Sequence, residues 1–335
     1  MKLYEGRTAD GPNGWVLTEK DAPTPKANEA VIAVKAVSLN YRDLLLSKNP
    51  NAKRPIVPLS DGAGEIIAVG ADVMRFSVGD RVALNFFRDW TAGGIRAEYH
   101  DSAYGGAIDG LLTEQIAVPE QSLVRIPDYL TYAEAATLPC AAVTVWNALF
   151  EQAKMTAGET VLLLGTGGVS IFGLQMAKMA GAKTILTSSS DEKLDRAREL
   201  GADITINYKT NPDWEKAVWD ATSRRGVDHV VEVGGAGTLE KSLQSTRTGG
   251  TVSIIGVLTG FDGQINPANI LQRSIRANGI YVGSVAMFER MNAALAQNEI
   301  RPTIDRVFPF DAAQDALAYM ESAGHFGKIV VSLSD

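Results

Sequence analysis

Apolar and polar positions follow one rhythm up to about Tyr129 and another beyond it. In the first stretch, short β-branched runs are broken by Gly, Pro and Asp. Ala30 to Val37, Gly64 to Gly70, Arg81 to Leu84 and Leu112 to Val118 each read as a strand, and together they predict a compact β-domain. The segment from Phe86 to Gly110 is long, irregular and rich in glycine and aromatics, and reads either as a lid or binding loop or as a plain surface excursion. From Thr131, whose spacing to Glu134 is that of a capping box, strands alternate with helical stretches. Strands are expected at Val161 to Leu164, Lys183 to Thr187, Ile204 to Ile206, Asp228 to Val233, Thr251 to Ile255 and Ile280 to Gly283. That alternation predicts parallel pairing in a doubly wound α/β sheet. Two helices, from about Met287 to Asn298 and from Ala312 to Ser322, and a strand from Lys328 to Ser332 close the chain.

One turn in this pattern carries chemistry. Between the strand ending at Leu164 and the following helix lies Gly165-Thr166-Gly167-Gly168-Val169-Ser170. Gly165 permits a sharp reversal, and Gly167 lets backbone N–H groups approach a pyrophosphate at the helix N-terminus. Ser170 stands where the pattern usually has a third glycine, a small change at a packing position. A dinucleotide site is therefore expected at Gly165, Gly167, Gly168 and Val169. An NAD-preferring site places an acidic residue about twenty positions further on. Here that place falls at Ser188, followed by Ser189, with Lys193 nearby, so NADP(H) is expected in preference to NAD(H). Asp191 and Glu192 argue the other way, and the three serines also read as a polar helix entry capped by Ser190.

With 335 residues, 45% hydrophobic and 21% charged, the chain has room for two domains and a large core. A net charge of −7 does not suggest a nucleic-acid surface. The N-terminal residues lack the apolar run of a signal peptide, and no stretch is long enough to span a membrane. The single cysteine, Cys140, permits no intrachain disulfide. A cytoplasmic protein with a small-molecule substrate is expected. Metal ligands are scarce: Cys140, His100, His229 and His325 are widely spread, so no zinc is expected. Cys140 reads as a small buried hydrophobe, His100 as a solvated loop residue and His229 as structural. Phe86, Phe87, Trp90 and Tyr104 either line an apolar pocket or cover a cleft between domains.

Several motifs, in order, resemble the medium-chain dehydrogenase/reductase superfamily, and within it the zinc-independent quinone-oxidoreductase-like branch. They are Asn40-Tyr41-Arg42-Asp43-Leu44, Pro58-Leu59-Ser60-Asp61-Gly62-Ala63-Gly64, Ala135 to Cys140 running into Thr144-Val145-Trp146, the glycine turn, Asn207-Tyr208, and Gly327-Lys328-Ile329-Val330. The resemblance implies a β-rich, GroES-like catalytic domain made of residues 1–130 and 285–335, with a Rossmann domain, 131–284, between them. It also implies a homodimer in which the sixth strands pair. Zinc-dependent members carry a Cys in the segment matching Leu39 to Asp43, and Gly-His-Glu where this chain has Ser60-Asp61-Gly62. By resemblance, Thr144 lies near the nicotinamide, Gly256 and Ser284 border the ribose and carboxamide, Tyr208 lies at the adenine-ribose end, and Lys328 closes over the cofactor. Tyr41 and Asn40 are the candidate donors to a substrate oxygen; a plainer reading has Asn40 and Asp43 bracing a helix start. The expected activity is NADPH-dependent hydride transfer to a quinone, an enone or a related apolar carbonyl compound. A zinc-free alcohol dehydrogenase, or a non-catalytic NADP(H)-binding redox sensor or interaction protein, remain as alternatives.

Overall fold

The computed structural model describes residues 1–333. Contacts divide the chain into two compact units, one formed by residues 1–143 with the tail from Val282, the other by Thr144–Tyr281. Residues 131–143 and 282–284 thus group with the first unit, whereas the sequence reading put them with the second.

The second unit is built on six parallel strands in the order Ile204–Asn207, Lys183–Ser188, Thr160–Leu164, Val227–Glu232, Thr246–Ile254, Arg276–Gly279. The Thr160–Leu164 strand is buried throughout, as a strand covered by helices on both faces must be. The chain leaves it in one direction and resumes at Val227–Glu232 on its other side. The strand order reverses there, and ligands of such sheets bind at the carboxyl ends flanking that point. The sixth strand is Arg276–Gly279, not Ile280 to Gly283. Ile280 still donates its N–H to Ile254 O (2.9 Å), but Val282 adopts a left-handed backbone (φ 55°), which ends the extended run.

The first unit holds a seven-stranded sheet in the order Ile304–Pro309, Lys328–Ser332, Glu29–Ser38, Asp61–Val69, Arg81–Leu84, Leu123–Arg125, with Gln115–Pro119 paired to the first half of Glu29–Ser38. The C-terminal strand is thus inserted beside an N-terminal one. Ile32, Val37, Ile66, Leu84, Ile329 and Val331 fill the core around it, each contributing about 1.5–3 kcal/mol by leaving water. The strand expected from Leu112 begins only at Gln115. Leu111 and Leu112 instead donate their N–H groups to Leu59 O (2.9 Å) and Pro58 O (3.1 Å), which draws the backbone out of the sheet.

The Phe86 to Gly110 segment folds on its own side chains. Phe86, Phe87, Trp90 and Tyr104 are buried, with Phe86 edge-on to Phe87 at 4.7 Å and Phe87 tilted on Trp90 at 5.9 Å. Its carbonyls also serve a helix: Trp90 O and Thr91 O accept from Val285 and Ala286 N–H (3.0 and 2.9 Å), orphan donors at the start of the Val285–Gln297 helix. No helix among the described residues is long and apolar enough to cross a membrane.

Candidate functional site

In the second unit the glycine turn leaves the Thr160–Leu164 strand at its carboxyl end. Gly165 has φ 75°, and a Cβ on Gly165 or Gly167 would meet no atom within 4 Å. The space beside the turn is open to a ligand. Gly167 caps the Gly168–Met179 helix without a side-chain acceptor, so first-turn N–H donors, Gly168 and Val169 among them, are left for an anion. Ser170 is buried and donates its hydroxyl to Leu164 O (2.5 Å), tying helix to strand. The close helix–strand approach occurs one turn later. A Cβ on Gly173 would come within 2.6 Å of Leu163 Cδ2. A glycine inside an apolar helical run was the signal for it.

At the far end of the next strand, Ser188 is buried and accepts from Ser190 N–H (3.4 Å), and Ser189 follows half-buried. Ser190 caps the Asp191–Glu199 helix by accepting from Lys193 N–H (3.3 Å), and the Lys193 side chain is half-buried. Tyr208 donates its N–H to Ser188 O (3.0 Å) and keeps 41% of its surface exposed. The Asp191 carboxylate accepts from Asn207 Nδ2 (2.7 Å). Glu232, fully buried at the end of its strand, accepts from Gly234 N–H (2.7 Å), Gly235 N–H (3.0 Å), the Thr238 hydroxyl (2.6 Å) and the Ser242 hydroxyl. That carboxylate fixes the turn beside Gly256, where a Cβ would lie 2.3 Å from Val233 O, so only glycine fits. Thr144 is buried at the start of this unit. The open glycine turn, its free helix donors and the serine strand end suit a pyridine dinucleotide.

In the first unit the register of three strands gathers a second group. Ser38 pairs with Val330 on one side and Asp61 on the other, so the end of Glu29–Ser38 meets the starts of Lys328–Ser332 and Asp61–Val69. Lys328, 3% exposed, donates from Nζ to Leu39 O (2.5 Å) and Asn40 Oδ1 (2.6 Å). Asn40 Nδ2 donates to Ser60 Oγ (3.4 Å), Ser60 Oγ donates to Asp61 Oδ1 (2.8 Å), and Asp61 Oδ2 accepts from Cys140 N–H (3.0 Å). Asn40 also opens the Tyr41–Lys48 helix, donating its own N–H to Asp43 Oδ2 (2.8 Å). The bracing role and the candidate chemistry therefore fall on one residue. Arg42 reaches Asp43 Oδ1 (3.3 Å) and Tyr104 O (2.9 Å) and lies over the Phe86 ring, which joins the cluster to the aromatic loop. Tyr41 is 39% exposed.

Burial dominates the electrostatics here. It raises the Asp43 carboxyl to about 6 against the opposing pull of Arg42. Burial also raises Asp61, opposed by Lys328, and lowers Lys328, opposed by Asp61. Ser284 is buried and caps the Val285–Gln297 helix, accepting from Met287 N–H (3.3 Å). Of the residues singled out from sequence, Asn40 and Lys328 are thus brought into direct contact, with Tyr41 next in the chain, while the glycines, serines and Tyr208 gather in the other unit. Ser60, Asp61, Gly173 and Glu232 had been assigned no role.

Comparison with known proteins fits both halves. Residues 26–128 match the alcohol dehydrogenase GroES-like domain family, and residues 168–297 match the zinc-binding dehydrogenase family. A zinc-type alcohol dehydrogenase-like protein of Schizosaccharomyces pombe is 44% identical over 91% of this chain and 91% of its own. The chain belongs to the medium-chain dehydrogenase/reductase superfamily. A 2-methylene-furan-3-one reductase of Solanum lycopersicum is 30% identical over 92% of this chain and 73% of its own length. The crystal structure of an NAD-dependent alcohol dehydrogenase superposes with a TM-score of 0.91 at 30% identity, covering all of both chains. As a member of this superfamily, the protein is an oxidoreductase with a pyridine-nucleotide fold.

Zinc is implied by part of that superfamily, and the donors here do not fit it. Among the described residues no group of three or more His, Cys, Asp and Glu stands where it could hold a metal ion. The segment Leu39 to Asp43 carries no cysteine, Asp61 and Gly62 stand where Gly-His-Glu has its His and Glu, and the Lys328 ammonium is hydrogen-bonded to Asn40. Cys140 is half-buried as a residue, and burial of its thiol pushes that group up, away from the thiolate. His229 is buried in its strand with Nε2 2.9 Å from Glu159 Oε2, a structural setting, and His100 is an exposed loop residue stacked on Phe87 at 6.1 Å.

Proposed function

We propose that this superfamily member is a zinc-independent, NADPH-dependent reductase acting on a quinone, an enone or a related apolar carbonyl compound. The observation that carries the reading is the contact of the Lys328 ammonium with the Asn40 amide, with Tyr41 next in the chain, where a metal-dependent relative would need metal donors. Gly165, Gly167, Gly168 and Val169 would hold the pyrophosphate, and Ser188, Ser189, Lys193 and Tyr208 the phosphorylated ribose. Thr144 would lie near the nicotinamide, and Gly256 and Ser284 would border the ribose and carboxamide. Bound NADPH would supply the hydride. As negative charge grows on the substrate oxygen, Tyr41 and the Asn40 amide stabilise it by hydrogen bonding, and a proton arrives from Tyr41 or solvent. The name of the tomato relative, an enone reductase, supports the substrate class. We further propose a cytoplasmic homodimer joined along the exposed edge strand Arg276–Gly279.

A second reading is a zinc-free alcohol dehydrogenase; the names of the yeast relative and of the superposed structure favour its alcohol chemistry, and the scarcity of metal donors its freedom from zinc. One assay separates these. The purified protein is offered NADPH with quinones, enones and aldehydes, and NADP+ with alcohols. Oxidation of NADPH by enones or quinones is expected. Alcohol-dependent reduction of NADP+ without enone activity would support the second reading. Binding of NADPH with no turnover at all would leave a binding protein. Equal kcat/KM for NADH and NADPH would overturn the assignment made on Ser188.

A further inference from the structure

The strand Val227–Glu232 runs parallel to Thr160–Leu164, with Val230 beside Leu162 and Val231 beside Leu163. One step on, Glu232 stands beside Leu164, and the turn that follows it leaves the sheet beside Gly165, at the strand spacing of about 4.8 Å. The strand order reverses between these two strands, so the two turns are the walls of one ligand crevice. The walls differ. The glycine turn leaves its N–H donors to a ligand, whereas the second turn spends its own on the protein. Gly234 and Gly235 donate their N–H groups inward to Glu232 Oε1 (2.7 and 3.0 Å), where the Thr238 hydroxyl also donates (2.6 Å), and Ser242 donates to Oε2. This turn then carries the next one. Val233 O accepts from Leu258 N–H (3.3 Å), and Gly234 O from the Thr259 N–H (2.7 Å) and hydroxyl (2.8 Å). Ala236 N–H donates to Gly260 O (3.3 Å). Gly235 is left-handed (φ 87°), and a Cβ there would lie 2.8 Å from Val257 Cα. The segment from Gly256 to Gly260 therefore hangs on the turn after Glu232, and that turn hangs on one buried carboxylate. All four hydrogen-bond donors to the carboxylate are uncharged. Burying a carboxylate without a cation is costly; what it obtains here is a fixed shape for both turns.

We propose that Glu232 is a positioning residue for the nicotinamide-bearing half of the dinucleotide: through the two turns it holds Gly256 and its neighbours in a shape ready for the ribose and carboxamide. The proposal rests on the cofactor placement given above. The glycine turn stands on another strand end and makes no use of Glu232, so the adenosine half is indifferent to it. The dinucleotide is then held by two independent devices, free backbone donors on one wall and a carboxylate-braced shape on the other. A wall ordered beforehand spares the ligand the cost of ordering it.

The test uses the full chain with Glu232→Met, which keeps the bulk and removes the acceptor, and Glu232→Gln, which keeps Oε1 for three donors and offers its amide to Ser242. A further variant, Thr259→Val, cuts the tie between the turns at an exposed residue and guards against a Glu232→Met protein that fails to fold. Calorimetry gives Kd for NADPH and for adenosine 2′,5′-bisphosphate, which carries the adenosine half alone, and Tm is read on each sample. Glu232→Met should raise the Kd for NADPH about 30-fold and leave that for the bisphosphate within roughly threefold. Glu232→Gln should restore NADPH affinity to within about threefold of wild type. Thr259→Val should show the same selective loss at about fivefold. Equal weakening of both ligands would leave Glu232 a residue of the fold alone and overturn the proposal, as would NADPH affinity that survives Glu232→Met. If Glu232→Met does not fold, Thr259→Val decides, and an equal or absent loss overturns the proposal. If the wild type prefers NADH, then NADH and adenosine 5′-diphosphate replace the pair, and only the assignment made on Ser188 fails. A wild type that binds neither dinucleotide refutes the cofactor reading and this proposal with it.

Discussion

The glycine turn of the second unit and the lysine cluster of the first are opposite solutions to holding charge. The turn uses backbone: Gly165 and Gly167 clear a space, and the helix behind them offers N–H donors from one stretch of chain. The cluster uses side chains from three separate segments, around Asn40, Ser60 and Lys328, brought together by sheet register, with one backbone N–H from Cys140. A backbone site is tolerant of its neighbours but intolerant of any added Cβ. A side-chain site is intolerant of losing any one partner, because each buried polar group relies on the others.

The largest test of that contrast is Gly167→Val. Its φ is not left-handed and no neighbour stands within 4 Å, so the fold should persist with little change in Tm. The side chain would fill ligand space, and NADPH affinity should fall about 100-fold, roughly 2.7 kcal/mol. Calorimetric titration showing unchanged affinity would break the account of the turn. Next comes Tyr41→Phe, which should lower kcat about tenfold with KM little changed, since solvent can also deliver the proton. Unaltered turnover removes Tyr41 from the mechanism.

Gly173→Ala probes packing rather than ligand. The new Cβ would press on Leu163 Cδ2, a methyl that can swing, so denaturant unfolding should show about 1 kcal/mol of lost stability. NADPH affinity of the folded protein should stay the same, in contrast to Gly167→Val.

The smallest effects concern pH, and they have opposite signs in the two units. Burial alone would raise Asp228, but hydrogen bonds from Arg225 and Arg247 outweigh it and hold the carboxyl at about 2, below its usual 3.8. Its contribution to stability is present above pH 3.8 and is lost as pH falls through about 2. Asp43, raised to about 6, favours the folded state below pH 3.8, and that contribution is lost as pH rises through about 6. Asp228→Asn should flatten the acid limb of a Tm-against-pH curve, and Asp43→Asn the limb between pH 4 and 6. The reverse assignment of slopes would contradict both environments.

The same contrast explains what the chain disclosed before its structure was known. Local signals were legible: the strand–turn–helix around Gly165, the Thr131 and Ser190 caps, and the closing strand from Lys328. The sixth strand was misplaced because the apolar run Ile280 to Val282 reads as extended, while the backbone turns left-handed at Val282. Register was not legible. Nothing local says that Asp61 and Lys328 flank the same end of Glu29–Ser38, so the burial of this C-terminal lysine is not announced by its neighbours in sequence. Asp61 opening a strand beside the small residues Gly62, Ala63 and Gly64 was a hint, since a buried charge needs a partner. The partner lies 267 positions away in sequence, beyond the reach of any periodicity.

The central claim is that a side-chain cluster, rather than a bound metal, serves the chemistry. The most direct measurement is NADPH-dependent enone reduction by protein stripped with a strong chelator, with metal content determined on the same sample. The account predicts unchanged kcat at substoichiometric zinc. Activity lost on stripping and restored by added zinc would contradict it.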